Sequence, residues 1–170
     1  MKRILLIAFV LMVGILAAVA KEILPDNNQK NTPNLPRFVS LRSQPTNARS
    51  GPGVKYPIEW VYMQTSAPVE VIAEFKEWRR IRDWQGSESW INHLMLSAKR
   101  FVKVITPGEN NLYAKDNYKS QIIAKVEDEV VGEVKKCPPN NEFCLVSFNK
   151  IEGWIAKQNL FGIYENEVID

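Results

Sequence analysis

Imidazoles and thiols are almost missing from this chain: in 170 residues there is one histidine, His93, and there are two cysteines, Cys137 and Cys144. Hydrolytic nucleophiles need a base beside them, and neither G-x-S-x-G, H-E-x-x-H nor a Cys/His pairing of the kind hydrolases use is present. His93 stands between Asn92 and Leu94 in a predicted loop, where a lone imidazole is ordinarily a surface group, and the acidic residues are scattered rather than paired. The sequence therefore predicts a chain without enzymatic activity. Spacing excludes a redox C-x-x-C, and a zinc site would need ligands that the chain does not supply, so neither a metal nor another cofactor is expected. Long helical stripes are missing as well. Nor does charge of one sign dominate, since 22 Lys and Arg stand against 19 Asp and Glu.

What is present begins at the N-terminus. Lys2 and Arg3 precede an apolar run from Ile4 to Ala20 that closes with Ala18-Val19-Ala20, the three-part pattern of a secretory signal. Those 17 residues would span roughly 25 Å as a helix, a little short of a comfortable membrane crossing. The pattern predicts cleavage after Ala20 and a mature start at Lys21; the alternative is an uncleaved anchor. No cysteine near the cleavage point suggests a lipid attachment. Export to the periplasm is expected, with membrane contact only through the signal segment. Removing Lys2 and Arg3 leaves 20 basic against 19 acidic side chains, so net charge gives no support to a nucleic-acid partner.

Residues 21–36 hold three prolines and four asparagines without apolar periodicity and read as a linker. From Phe38 onward, short runs rich in Val, Ile, Phe, Tyr and Trp are broken every 8 to 12 residues by Gly, Pro, Asn or Asp, the pattern of an all-β barrel or sandwich. Along Pro68–Phe75 the period of two puts Val69, Val71, Ala73 and Phe75 on one face, with Glu70, Ile72 and Glu74 on the other. Turns at Lys76-Glu77 and Gln85-Gly86 then predict a three-stranded meander.

That meander recurs. EWRRIRDWQGSESWINHLML from Glu77 to Leu96 aligns with EFCLVSFNKIEGWIAKQNL from Glu142 to Leu160, so that Trp78 meets Phe143, Ile81 meets Val146, and Trp90-Ile91 meets Trp154-Ile155. Upstream, the run from Asn47 to Tyr62 has its counterpart from Asn111 to Val126, and PVEVIAEF at Pro68 matches VEDEVVGEV at Val126 more loosely. The repeat of about 64 residues sets the size of each unit. It predicts a signal peptide over 1–20, a linker over 21–36, one small barrel over 37–100 and a second over 101–166.

The first copy carries Asn47-Ala48-Arg49-Ser50-Gly51-Pro52-Gly53, then Trp78-Arg79-Arg80-Ile81-Arg82 and Trp90-Ile91. In these residues the chain resembles the bacterial SH3-like domains, whose pattern is N-x-R-S-G-P-G, W-x-x-I/V-R and G-W-I/V. It departs at Ser89, where the pattern has glycine, which predicts a wider turn there. Gly153-Trp154-Ile155 and the closing segment from Leu160 to Glu167 look like the second copy of two-domain members. The resemblance implies an all-β chain of two tandem SH3-like barrels, each five-stranded and strongly bent.

Cys137 and Cys144 flank CPPNNEFC, whose prolines and asparagines must turn between the strand-like runs Val131–Val134 and Leu145–Phe148. In an oxidising compartment this predicts a disulfide clasping a hairpin. In the Arg49–Gly53 loop the glycines predict a reversal at φ > 0, a fold-specifying turn and not a phosphate cradle. Placing Ile81 and Ile91 inward puts Trp90 outward beside Arg80 and Arg82, as a flat floor for an extended peptide. The plainer reading of those arginines is ladder charge paired with Glu70 and Glu74. Tyr56, Trp60 and Trp78 complete the candidate binding set. The expected function is a non-catalytic envelope binding module for peptidoglycan peptides or an envelope protein; the alternative is an assembly subunit of an envelope complex.

Overall fold

The computed structural model describes residues 34–170. The signal segment 1–20 and the linker up to residue 33 lie outside the described residues. The strands that follow make two sheets of identical plan. The first contains β1 (Arg37–Leu41), β2 (Thr46–Arg49), β3 (Ile58–Tyr62), β4 (Pro68–Phe75), β5 (Trp78–Arg82), β6 (Glu88–Asn92) and β7 (Leu96–Ser97). The second contains β8 (Phe101–Val104), β9 (Asn110–Tyr113), β10 (Ile122–Val126), β11 (Val131–Lys136), β12 (Phe143–Phe148), β13 (Ile151–Ala156) and β14 (Leu160–Phe161).

Their spatial orders are β3-β2-β6-β5-β4-β1-β7 and β10-β9-β13-β12-β11-β8-β14, the same order displaced by one repeat. Even the short 3-10 turns recur, at His93–Met95 and Lys157–Asn159. The aligned pairs of the repeat hold in three dimensions: Arg80 lies opposite Trp90 in the first sheet, and Leu145 lies opposite Trp154 in the second. Each unit has seven strands where the resemblance implied five. The additional pair is β1 with β7, and β8 with β14: β1 covers the edge of β4 and meets the chain as it leaves β6, which occupies backbone groups that would otherwise stay open.

Each sheet bends around its own apolar cluster. Leu41, Val69, Val71, Ile81 and Ile91 are buried in the first, and Val102, Val104, Leu112, Val146 and Ile155 in the second. The strict alternation expected along β4 fails beyond Val71. A bulge shifts the register, pairing Val71 with Ile81 but Ala73 with Arg80, and leaves Ile72 without a direct partner. Phe75 is consequently exposed, and Glu74 turns to the side where Arg79 and Arg37 both bond it, at 3.1 and 2.5 Å.

Two other local expectations change. Ser89 sits inside β6 opposite Ile81, buried, and makes no wider turn. Its equivalent Gly153 could not carry a side chain, because a Cβ there would lie 2.8 Å from Leu112 Cβ. In the first unit the residue aligned with Leu112 is Ala48, so a smaller neighbour leaves room for the serine. Gly51 and Gly53 do not adopt positive φ. Gly51 is required instead by contact, since a Cβ there would fall 2.4 Å from the Tyr56 ring.

The two units pack directly, joined through residues 98–100 alone. Phe38 of β1 meets Phe161 edge-on at 5.1 Å and Tyr164 at 4.6 Å between centroids. Arg100 bonds Glu167 and donates to the Gly162 carbonyl at 2.7 Å, anchoring the C-terminal segment to this seam.

Candidate functional site

In β5 the bonds of the ladder set Trp78, Arg80 and Arg82 on the outer face, opposite Asn92, Trp90 and Glu88 of β6. Trp90 is half-buried and faces Arg80 directly, with Arg49 of β2 on its other side. Phe75 extends the stripe beside Trp78. The structure therefore brings together four of the sequence-predicted residues: Trp78, Arg80, Arg82 and Trp90.

The guanidinium groups are not free. Arg80 and Arg82 each approach Glu88 at 2.7 Å, and Arg82 also reaches Glu70 at 3.3 Å. Hydrogen bonding to Arg82, aided by the charges of both arginines, holds the Glu88 carboxyl below the usual carboxylate range. Of the two partners expected for the arginines, Glu70 is one and Glu74 is not; Glu88 takes its place. The signal was available, because Glu88 precedes Trp90 by two residues and so must share its face.

Trp60 and Tyr56 lie elsewhere. Tyr56 closes the Arg49–Gly53 loop, where its carbonyl accepts from Arg49 Nη1 at 2.7 Å. Trp60 belongs to β3, opposite Ala48, and is 53% exposed at a cleft between the two barrels. This cleft, of about 500 Å³, is lined by Trp60, Met63, Tyr62 and Trp84 from the first barrel and by Lys103 and Glu129 from the second. Lys103 is only 3% exposed, and its ammonium lies 3.7 Å from the centre of the Trp84 ring. Burial pulls its pKa down, against an opposing pull from Glu129 and Asp83. Tyr62 donates to Asp83 at 3.0 Å in the cleft wall, and burial followed by that carboxylate's charge pushes the phenol up. Sequence reasoning missed Lys103, although a lone lysine inside the apolar run FVKV was its visible trace.

Cys137 and Cys144 form a disulfide. Its hairpin turns at Asn140 with φ 54°, and Cys137 exchanges two backbone bonds with Ile169 at 2.7 and 3.0 Å, which fastens the C-terminal segment to the clasp. His93 is held by Glu77, through its ring nitrogen and through a backbone bond at 2.9 Å. Among the described residues no three His, Cys, Asp or Glu side chains gather as a metal-holding group.

Two stretches of the chain, residues 42–97 and 106–162, match the bacterial SH3 domain family. The chain belongs to that family. The matched stretches take in six of the seven strands of each sheet, all but β1 and β8, so this is a tandem bacterial SH3 protein. No curated protein matches it. Solved structures similar to this bacterial SH3 chain include NlpC2 and NlpC1 from Trichomonas vaginalis, at 14% and 13% identity and TM-scores of 0.34 and 0.31. Each similarity covers 76% of this chain, against 49% and 47% of the other. The chain thus spans about half the length of those structures.

Proposed function

We propose that this bacterial SH3 pair is an exported, non-catalytic binding module of the cell envelope, and that it recognises peptidoglycan stem peptides or an envelope protein through the outer face of its first barrel. Domains of this family commonly serve as cell-wall binding modules, and a disulfide suits an oxidising compartment such as the periplasm. The observation that carries the reading is the direct pairing of Trp90 with Arg80 on a face continued by Trp78 and Phe75. Indole and phenyl faces offer apolar contact to an extended peptide. Arg80 and Arg82, 48% and 45% exposed, are held in place by Glu88 and keep donors for peptide carbonyls or carboxylates. In the second barrel Leu145 stands opposite Trp154, so the aligned face lacks this chemistry.

The test is co-sedimentation of residues 21–170 with purified sacculi. The full pair is required because Phe38 and Trp84 pack on the second barrel and a first-barrel fragment would bare them. Trp90→Ala, or Arg80→Ala with Arg82→Ala, should weaken binding by about 1 to 3 kcal/mol at unchanged fold, as for a central aromatic or charge-assisted anchor. Trp154→Ala should change it little. Equal losses from both barrels, or none from either, would remove the assignment.

An assembly role has one observation in its favour. β3 ends its sheet and exposes Ile58, Trp60 and Val61, an apolar edge of the kind that accepts a further strand. Cross-linking from position 58 in intact cells would capture a single stoichiometric partner on that reading and none on the peptide-binding one.

A further inference from the structure

The lysines and arginines that this protein withdraws from solvent are tied to fixed acceptors: Arg37 and Arg79 to Glu74, Arg100 to Glu167, and Arg49 to the carbonyls of Val54 and Tyr56. The larger cavity, of about 610 Å³ beside the C-terminal segment, follows the same rule, since its buried Lys157 donates to the carbonyls of Glu165 and Glu167 at 2.9 and 3.2 Å. The cleft between the barrels does not. Among the described residues the Lys103 ammonium has no hydrogen-bond or ion-pair partner, although the residue is 3% exposed. Trp84 Nε1, beneath it, is likewise buried without an acceptor. The stem of Lys103 is buried while its ammonium opens on the cleft, so its protons are free for an acceptor that enters there.

Two carboxylates flank this cation, and they differ. Asp83 is used up, accepting from the Tyr62 hydroxyl at 3.0 Å and from the backbone amides of Gln85 and Ser87 at 3.0 and 2.9 Å. Glu129, exposed on the far wall, has no ion-pair partner among the described residues and stays beyond 4.0 Å of Lys103. One cleft therefore holds a cation and an anion that attract each other without closing into an ion pair. Trp60 and Met63 add an exposed apolar wall to the cleft. Lysine at the floor alone would attract any anion, but the carboxylate opposite repels one that lacks a compensating positive group.

We propose that the inter-barrel cleft binds a small zwitterion of the amino-acid or dipeptide class, its carboxylate on Lys103, its ammonium on Glu129 and its apolar side chains against Trp60 and Met63. A volume of about 500 Å³ suits a ligand of that size. The site uses residues of both barrels, so it exists only while they are packed, and it is independent of the outer face of β5 and β6.

Calorimetric titration of residues 21–170 with leucyl-leucine, leucine, N-acetyl-leucyl-leucine and leucyl-leucine amide tests this. Binding of one or both free zwitterions is expected, with each blocked dipeptide weakened at least tenfold, and the comparison of leucine with leucyl-leucine fixes the length taken. Glu129→Gln, at an exposed position that leaves packing intact, should erase the preference for a free amine, weakening the zwitterions and strengthening the N-acetyl form. Lys103→Met should abolish binding of the three ligands that carry a carboxylate; its fold is checked by thermal melting, and Glu129→Gln decides the matter if that variant unfolds. Because Trp90→Ala leaves the cleft untouched, it should not alter these titrations, which separates this site from the sacculus-binding face. Equal affinity for free and blocked dipeptides, or no heat from either zwitterion at 10 mM, would overturn the proposal.

Discussion

Tyr164, beyond the last strand of the second barrel, donates its phenolic hydrogen to Glu70 of the first at 2.8 Å. The same carboxylate receives Arg82 on its other oxygen, and the ring of Tyr164 rests against Phe38. One residue thus links the end of the chain to its first strand and to the ladder of charges on β5. Tyr164→Phe should cost about 1 kcal/mol, the net worth of one such bond. Phe38→Ala removes both ring contacts and should cost roughly 2 to 4 kcal/mol. Scanning calorimetry should then resolve two transitions where the parent shows one; a single transition at the parental temperature would contradict the seam's role.

Alkaline pH should weaken the fold through two phenols. Tyr62 and Tyr164 are both raised, first by burial and then by Asp83 and Glu70 respectively. A raised pKa contributes stability that is complete below the unfolded value of about 10 and is lost as pH climbs through the folded values. Lys103 runs the other way, since its pKa is lowered, and its contribution stops growing once pH passes the unfolded lysine value of about 10.4. Above that point the phenols dominate. Urea unfolding between about pH 10.5 and 12 should show a steep decline that Tyr62→Phe with Tyr164→Phe flattens; parallel declines in parent and variant would refute the linkage.

Cys137 and Cys144, seven residues apart, close a short loop, for which chain entropy predicts about 2 to 3 kcal/mol of stabilisation. Replacing both with alanine should lower the urea midpoint accordingly. Because Cys137 also holds Ile169 by two backbone bonds, the amide of Ile169 should exchange faster in that variant. Unchanged exchange at Ile169 would mean that the clasp does not support the C-terminal segment.

Glycines at positive φ should differ sharply in what alanine does to them. At Gly162, φ is +115° and an added Cβ would fall 2.5 Å from the Phe101 carbonyl oxygen and 3.0 Å from Pro68 Cβ, both at the seam. Backbone cannot yield there, so Gly162→Ala should cost more than about 2 kcal/mol. Gly86 has φ +83° with open space around it, and Gly86→Ala should cost only the conformational strain of about 1 kcal/mol. Comparable melting temperatures for the two variants would show that contact at the seam is not limiting.

Local chemistry makes much of this protein legible in its sequence. Alternating apolar residues around Val69, Ile81 and Ile91 determine strands and their buried faces, and the recurrence of Trp90-Ile91 at Trp154-Ile155 determines that there are two units of one kind. The facing of Trp90 with Arg80 and Arg82 followed from period two, and the Cys137–Cys144 clasp from a hairpin turn between them and the expectation of an oxidising compartment. These are properties of neighbours in the chain. Where the backbone slips by one residue, as at Ile72, the same reasoning fails, because a bulge is chosen by the partner strand and not by the strand that carries it. That is why Glu74 left the outer face and Glu88 serves Arg80 and Arg82. The meeting of Trp84 with Lys103, of Tyr164 with Glu70 and of Phe38 with Phe161 was decided only by packing one barrel on the other. Such contacts arise from surface shape and charge brought together over long chain separations, and no local period records them.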